Sequence, residues 1–226
     1  MFKIIICLSL LSCTVNATSK NVDLLKKQED RNSMKDLIRK SVLINWVCGM
    51  ENMGRMGSGV VVGREGNKTL VATAAHVTDA ILERGCDISV SDWQGKSGYA
   101  SVKSANSDTD VSVVLVDETV GVVAGLVDEP YLGQPVACVG WPVLPHKDYF
   151  GMSITRGYVS TLVDDYLRVS ADLYFGNSGG ACYSAEGEVV GIVSHFIAGG
   201  FFLGQTIPFP GQYFIANVDS LKKLLD

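Results

Sequence analysis

The chain has 226 residues, 47% of them hydrophobic and 19% charged, with 19 Lys+Arg against 24 Asp+Glu and a formal net charge of -5. Such a composition excludes a disordered chain, because there is ample apolar surface to bury and no charge excess to oppose collapse. The acidic balance and the lack of a Lys/Arg cluster also exclude nucleic acid as a partner, since phosphate binding needs a basic face that releases counterions.

Met1, Phe2 and Lys3 precede a predominantly apolar run from Ile4 to Cys13, too short to span a bilayer as a helix and typical of an export signal. Val15 and Ala17 stand at minus three and minus one of a cut before Thr18, so residues 1–17 are predicted to be a signal peptide and the protein to be secreted or periplasmic. A second reading competes: Leu10-Leu11-Ser12-Cys13 resembles a bacterial lipobox. Lipidated Cys13 would then hold the protein to a membrane, the one case in which a membrane is a partner.

Residues 18–41 form a charged N-terminal segment, a helix or tether, with Ser33-Met34-Lys35-Asp36 predicted as an N-cap and an acidic third position before Leu37 and Ile38. From Ser41 on, short β-branched runs alternate with Gly, Asn, Asp and Pro. Strands are predicted at 59–62, 69–77, 87–93, 111–116, 136–139, 153–162, 166–170, 180–183, 189–195 and 213–216, followed by one helix at 219–226. Many short strands divided by turns imply an all-β sandwich or barrel.

Cys7 and Cys13 fall in the signal, which leaves Cys48, Cys86, Cys138 and Cys182 for the folded part. Four cysteines allow three pairings. No CxxC occurs, so disulfides in an oxidising compartment or free buried thiols are the options. No metal or cofactor site emerges from the sequence. His146, between Pro145 and Lys147, reads as an exposed loop residue.

Three segments carry chemistry. Thr73-Ala74-Ala75-His76-Val77 puts a histidine at the end of an apolar strand, Asp108-Thr109-Asp110-Val111 a carboxylate at the start of one, and Phe175-Gly176-Asn177-Ser178-Gly179-Gly180 a serine among glycines. A serine hydroxyl is a weak nucleophile until a base takes its proton. An imidazole is an adequate base when a carboxylate fixes its tautomer. The glycines let the turn of Gly176, Asn177 and Ser178 aim N–H groups, those of Gly176 and Ser178, at one point as an oxyanion hole.

In that order and spacing, the chain resembles the chymotrypsin-like serine proteases and, within them, the HtrA-type branch. The resemblance spans about residues 55 to 226 and includes Gly57-Ser58-Gly59-Val60-Val61, TAAHV at 73–77, DTDVSVV at 108–114, Gly140-Trp141-Pro142, Ser153 to Ser160, GNSGGA at 176–181 and Tyr213-Phe214-Ile215-Ala216. It implies two packed six-stranded antiparallel β-barrels, a protease domain over 42–226, with a short N-terminal helix and a C-terminal helix. Barrel one would cover about 42–125, barrel two about 126–218 and the terminal helix 219–226, with no PDZ module. It further implies a serine endopeptidase acting on polypeptide substrates, with His76, Asp110 and Ser178 as its catalytic triad. Related proteases link a strand before the Gly-Trp segment to the strand after the serine, which implies a Cys138–Cys182 disulfide and leaves Cys48 for Cys86.

Asn177 departs from trypsin-type zymogens, whose Asp at this position pairs with a new N-terminus, so activation by such a cut is not expected. By alignment from Ser178, the side pocket would be lined by Asp172, Leu173, Val193, Ser194, His195 and Phe196. Leu173 favours an aliphatic residue before the cut, Asp172 a basic one and His195 an acidic one, in that order of weight. The competing function is a protease fold that binds peptide without cleaving it, or a latent protease awaiting a partner.

Overall fold

The computed structural model describes residues 30–48, 52–142, 151–202 and 205–226; the export segment with Cys7 and Cys13, and His146, lie outside them. Residues 30–40 are helical (α1), so Ser33 lies inside the helix and not at its cap as the sequence predicted. The chain then enters twelve strands that close into two six-membered barrels.

The first barrel takes β1 (Ser41–Cys48), β2 (Asn52–Glu65), β3 (Lys68–Thr73), β4 (Asp87–Asp92), β5 (Ser97–Asn106) and β6 (Val111–Val116) in the cyclic order β1-β2-β3-β6-β5-β4. The second takes β7 (Pro135–Gly140), β8 (Ser153–Val163), β9 (Tyr166–Val169), β10 (Ala181–Tyr183), β11 (Val189–Phe202) and β12 (Gln205–Asn217) in the order β10-β11-β12-β9-β8-β7. All pairings between these strands are antiparallel. Closure removes the exposed strand edges that would otherwise template aggregation. Each barrel is filled mainly by inward-facing β-branched residues, such as Val42, Ile44, Val71 and Val114 in the first and Val136, Val169, Val190 and Ile215 in the second. Burying one such side chain contributes about 1.5–3 kcal/mol.

Two strands escaped the sequence reading. β5 alternates exposed and half-buried residues along its length; its hydropathy is low because its inner face carries only small residues such as Ala100 and Val102. In β1 the apolar pattern is broken by Asn45, which is buried and donates to Ser91 Oγ at 3.1 Å. One prediction is corrected outright. The strand expected over 69–77 stops at Thr73, and a helix, α2 (Ala75–Leu82), begins two residues later. Ala75, Thr78 and Ile81 are buried at a three-residue spacing, a helical stripe that a continuous apolar run conceals. The closing helix α3 (Val218–Leu225) is capped by Asn217, whose side chain accepts from the N–H of Asp219.

Cys48 is bonded to Cys86 and Cys138 to Cys182, the latter pair lying directly opposite each other on β7 and β10. The second bond closes a loop of sequence separation 44. In the chain-entropy account this stabilises the fold by about 4 kcal/mol. Replacing Cys138 and Cys182 together by serine is expected to cost about 2–4 kcal/mol, read as a lower urea midpoint with a steeper slope, because the freed unfolded chain exposes more surface.

The barrels are stitched together near their junction. Ser41 Oγ meets Tyr183 OH at 2.8 Å, and Lys40 Nζ donates to the carbonyl of Gly187 at 2.9 Å. After β6 the connection crosses to the second barrel, where Leu126 bridges Val189.

Candidate active site

α2 has no capping side chain of its own, since Ala74 stands at its N-cap. Asp110, from the turn before β6, takes that role. Its carbonyl accepts from Ala75 N–H at 3.3 Å and its Oδ1 accepts from His76 N–H at 3.0 Å. Two orphan donors of the helix are thereby satisfied and a carboxylate is placed at the positive end of the helix dipole. The same carboxylate receives the imidazole: His76 Nδ1 lies 3.0 Å from Oδ1 and 2.9 Å from Oδ2. Asp110 adopts a left-handed backbone with φ 54°, a conformation that Asp and Asn tolerate better than other side chains and that is held here by the contacts around it.

The Asp110 side chain is 16% exposed and that of His76 50%. Burial pushes the Asp110 carboxyl up, but hydrogen bonds from the His76 ring, Ser194 and the His76 backbone, together with the imidazole's charge, outweigh it and hold the group below its ordinary value. An ionised carboxylate only accepts. His76 Nδ1 therefore carries a proton, and in the neutral imidazole the free lone pair is on Nε2.

The serine turn packs against the histidine segment. Gly179 has φ 82°, and a Cβ there would lie 2.0 Å from Thr73 Oγ1 and 2.8 Å from Ala74 N, so only glycine lets the backbone carrying Ser178 come this close. The Ser178 carbonyl accepts from Ser58 N–H at 2.8 Å, while Gly179 N–H donates to Val193 O at 2.7 Å. Gly176 has φ 91°, and its carbonyl accepts from Ser58 Oγ at 2.7 Å. Asn177 N–H is committed to the Tyr174 carbonyl at 3.0 Å, so of the three residues named for the oxyanion hole Asn177 supplies no free N–H. Among the described residues, the N–H groups of Gly176 and Ser178 donate to no protein acceptor. Ser178 Oγ likewise makes no hydrogen bond to His76 among the described residues. The carboxylate–imidazole arm is complete in this structure and the imidazole–hydroxyl arm is open, a looseness common at such sites before substrate tightens them.

Two residues gain roles the sequence reading did not give them. Ser58 is the joint of the site: its Oγ donates to Gly176 O and accepts from Trp141 N–H at 2.9 Å, and its carbonyl accepts from Thr73 Oγ1 at 2.7 Å. Only its place between two glycines marks it in the sequence. Ser194, grouped above with the side pocket, donates from Oγ to Asp110 Oδ2 at 2.6 Å.

Of the other pocket residues, Leu173 and Val193 are buried in the second barrel's core, while Asp172 is exposed. Phe196 packs edge-to-face on Phe175 at 5.2 Å and against Tyr213 at 6.5 Å. The Tyr213 hydroxyl is pushed up by burial, then by the charge of Asp172. Among the described residues, no group of three His, Cys, Asp or Glu is placed to hold a metal.

The family model described as Trypsin-like peptidase domain matches residues 57–192. A "Probable periplasmic serine endoprotease DegP-like" of Halomonas elongata is 30% identical over 185 residues, covering 76% of this chain and 36% of that protein. "Serine protease Do-like HtrA" of Lactobacillus helveticus is 29% identical over 185 residues, covering 74% of this chain and 43% of its own length. The chain thus spans less than half the length of these relatives. Among solved structures, the serine endoprotease from Yersinia pestis superposes with a TM-score of 0.66 at 22% identity, over 86% of this chain and 64% of that one, a likeness of fold.

Proposed function

The chain belongs to the trypsin-like peptidase domain family, and from that premise we propose that it is an exported serine endopeptidase acting through an acyl-enzyme. Ser178 Oγ attacks the scissile carbonyl, and His76 Nε2 takes its proton and returns it to the leaving amine. Asp110 holds His76 Nδ1–H and stabilises the imidazolium, and the N–H groups of Gly176 and Ser178 receive the oxyanion. Water then releases the acyl group by the same steps in reverse. The observation that carries this reading is the Asp110 carboxylate, which meets His76 Nδ1 through both oxygens at 2.9 and 3.0 Å beside the glycine-rich serine turn.

Export rests on the Met1 to Ala17 signal pattern, with Cys13 lipidation as its alternative, and is supported by two disulfides, which persist in oxidising compartments. Among the described residues no helix is long and apolar enough to cross a membrane.

Substrates are polypeptides with a small or medium aliphatic residue before the cut. The Phe175, Phe196 and Tyr213 aromatic cluster favours apolar side chains, and exposed Asp172 ranks basic residues second. Cleavage of a mixed peptide library checks this: Val, Ala or Leu is expected before the cut, and a profile dominated by Lys or Arg would overturn the aliphatic preference. A second reading, a latent protease that a partner activates, is favoured by the open His76–Ser178 arm. Under it the library is cleaved only after the partner is added.

A further inference from the structure

His195 lies beside the proposed triad without a part in it. Neighbouring residues on a regular strand point to opposite faces, yet Ser194 Oγ and His195 Nδ1 are 2.9 Å apart. The cause is local: the β11–β12 register shifts between Val193 and His195, and a bulge of this kind re-aims side chains. One ring face of His195 then stacks on Phe214 of β12, with centroids 5.0 Å apart and planes 9° apart, and Tyr166 of β9 meets the ring edge-on at 5.1 Å. Tyr166 is itself fixed, its hydroxyl donating to the Asp108 carbonyl at 3.0 Å.

The proton count along this path has one solution. Ser194 has a single hydroxyl proton, and at 2.6 Å it goes to the ionised Asp110 Oδ2. Ser194 Oγ can then only accept from His195, so His195 Nδ1 must carry a hydrogen. We infer that His195 is a positioning residue, the outer member of a relay His195 Nδ1–H to Ser194 Oγ–H to Asp110 that opposes His76 Nδ1–H across one carboxylate. The inference rests on the proposed triad. In the relay, Asp110 shares its charge between two histidines, and the more of it Ser194 and His195 take, the less firmly His76 holds a proton.

The titratable groups facing His195 are Asp110 from the turn before β6, His76 from α2 and Tyr166 from β9, the last with Asp108 and Asp165 acting on its hydroxyl. Burial of the ring lowers the proton affinity of His195, Asp110 works against this, and His76 adds to it. His195 is thus neutral at neutral pH, its one proton on Nδ1.

The test needs no catalysis. With three histidines in the chain, nitrogen-15 spectra of the ring nitrogens can be assigned, and the relay requires neutral His195 to be the Nδ1–H tautomer in the wild-type protein. His195→Phe keeps a ring for Phe214 but removes the donor. The acid limb of kcat/KM is then expected to move to higher pH, a change that the loss of a substrate wall alone would not give. His195→Asn, whose amide offers an N–H to Ser194, is expected to return most of the shift. An Nε2–H tautomer in the wild type overturns the inference even if the variants fail to fold. A fixed acid limb with a raised KM in His195→Phe overturns it too, leaving His195 as a substrate wall. If Ser178 proves unreactive while His195 is the Nδ1–H tautomer, the proposed function fails and the relay stands.

Discussion

Replacing Ser178 by alanine is expected to lower turnover by about 10⁶ while peptide binding survives. The reason lies in how the site divides its labour. Deleting Oγ removes the nucleophile, but the N–H groups of Gly176 and Ser178 and the second-barrel strand remain, so substrate still docks. The backbone of the turn is held by Ser58, through its N–H to the Ser178 carbonyl and its Oγ to the Gly176 carbonyl, and not by the serine side chain. Alanine therefore changes the chemistry and leaves the scaffold. Steady-state hydrolysis of a cleaved library peptide, with binding followed separately, checks both halves. Residual catalysis of about 10³–10⁴ over water is expected from the hole and binding alone.

The second large effect is at Asp110. Asp110→Asn should lower kcat by about 10⁴ with little change in KM. Asparagine is isosteric and tolerates the left-handed φ of 54°, so the backbone survives. However, its amide offers one acceptor and one donor where the carboxylate accepts from His76 Nδ1, His76 N–H and Ser194 Oγ together. Turning the NH₂ toward His76 forces the ring proton to Nε2, where it blocks the base. Stability follows a linked course. The folded Asp110 carboxyl is held below its ordinary value, so its stabilising contribution is complete above about pH 4, the ordinary aspartate value, and is lost as pH falls through the lower folded value. Melting curves of the wild type should decline through that acid range by an increment that Asp110→Asn lacks.

The candidate site is legible in the order and spacing of three segments, since each of them alone is an ordinary signal. A histidine after TAA, a carboxylate in DTDV and a serine in GNSGG each need particular neighbours, and the glycines at 176 and 179 stand where the backbone turns left-handed. The β-branched runs between turn residues point only to an all-β sandwich or barrel; two six-stranded barrels are implied by the family resemblance that TAAHV and GNSGGA carry, and the strand order agrees with it. What escaped depended on contacts distant in sequence. α2 is a helix of eight residues whose cap comes from Asp110 across the fold, so no capping residue announces it. Ser58 is a joint only because three segments meet there. Ser194 faces Asp110 because a bulge turns it, and strand alternation predicts no such turn. Phe196 and Tyr213 meet through the pairing of β11 with β12, a contact that spacing alone does not reveal.

The measurement that bears most directly on the account is labelling of residues 18–226 by a fluorophosphonate probe, with Ser178→Ala alongside. The account predicts rapid stoichiometric labelling that is absent from the alanine variant, because His76, held through Nδ1 by Asp110, can take the Ser178 proton as the reagent adds. A folded wild-type protein that takes no label, alone or with substrate peptide present, would contradict it.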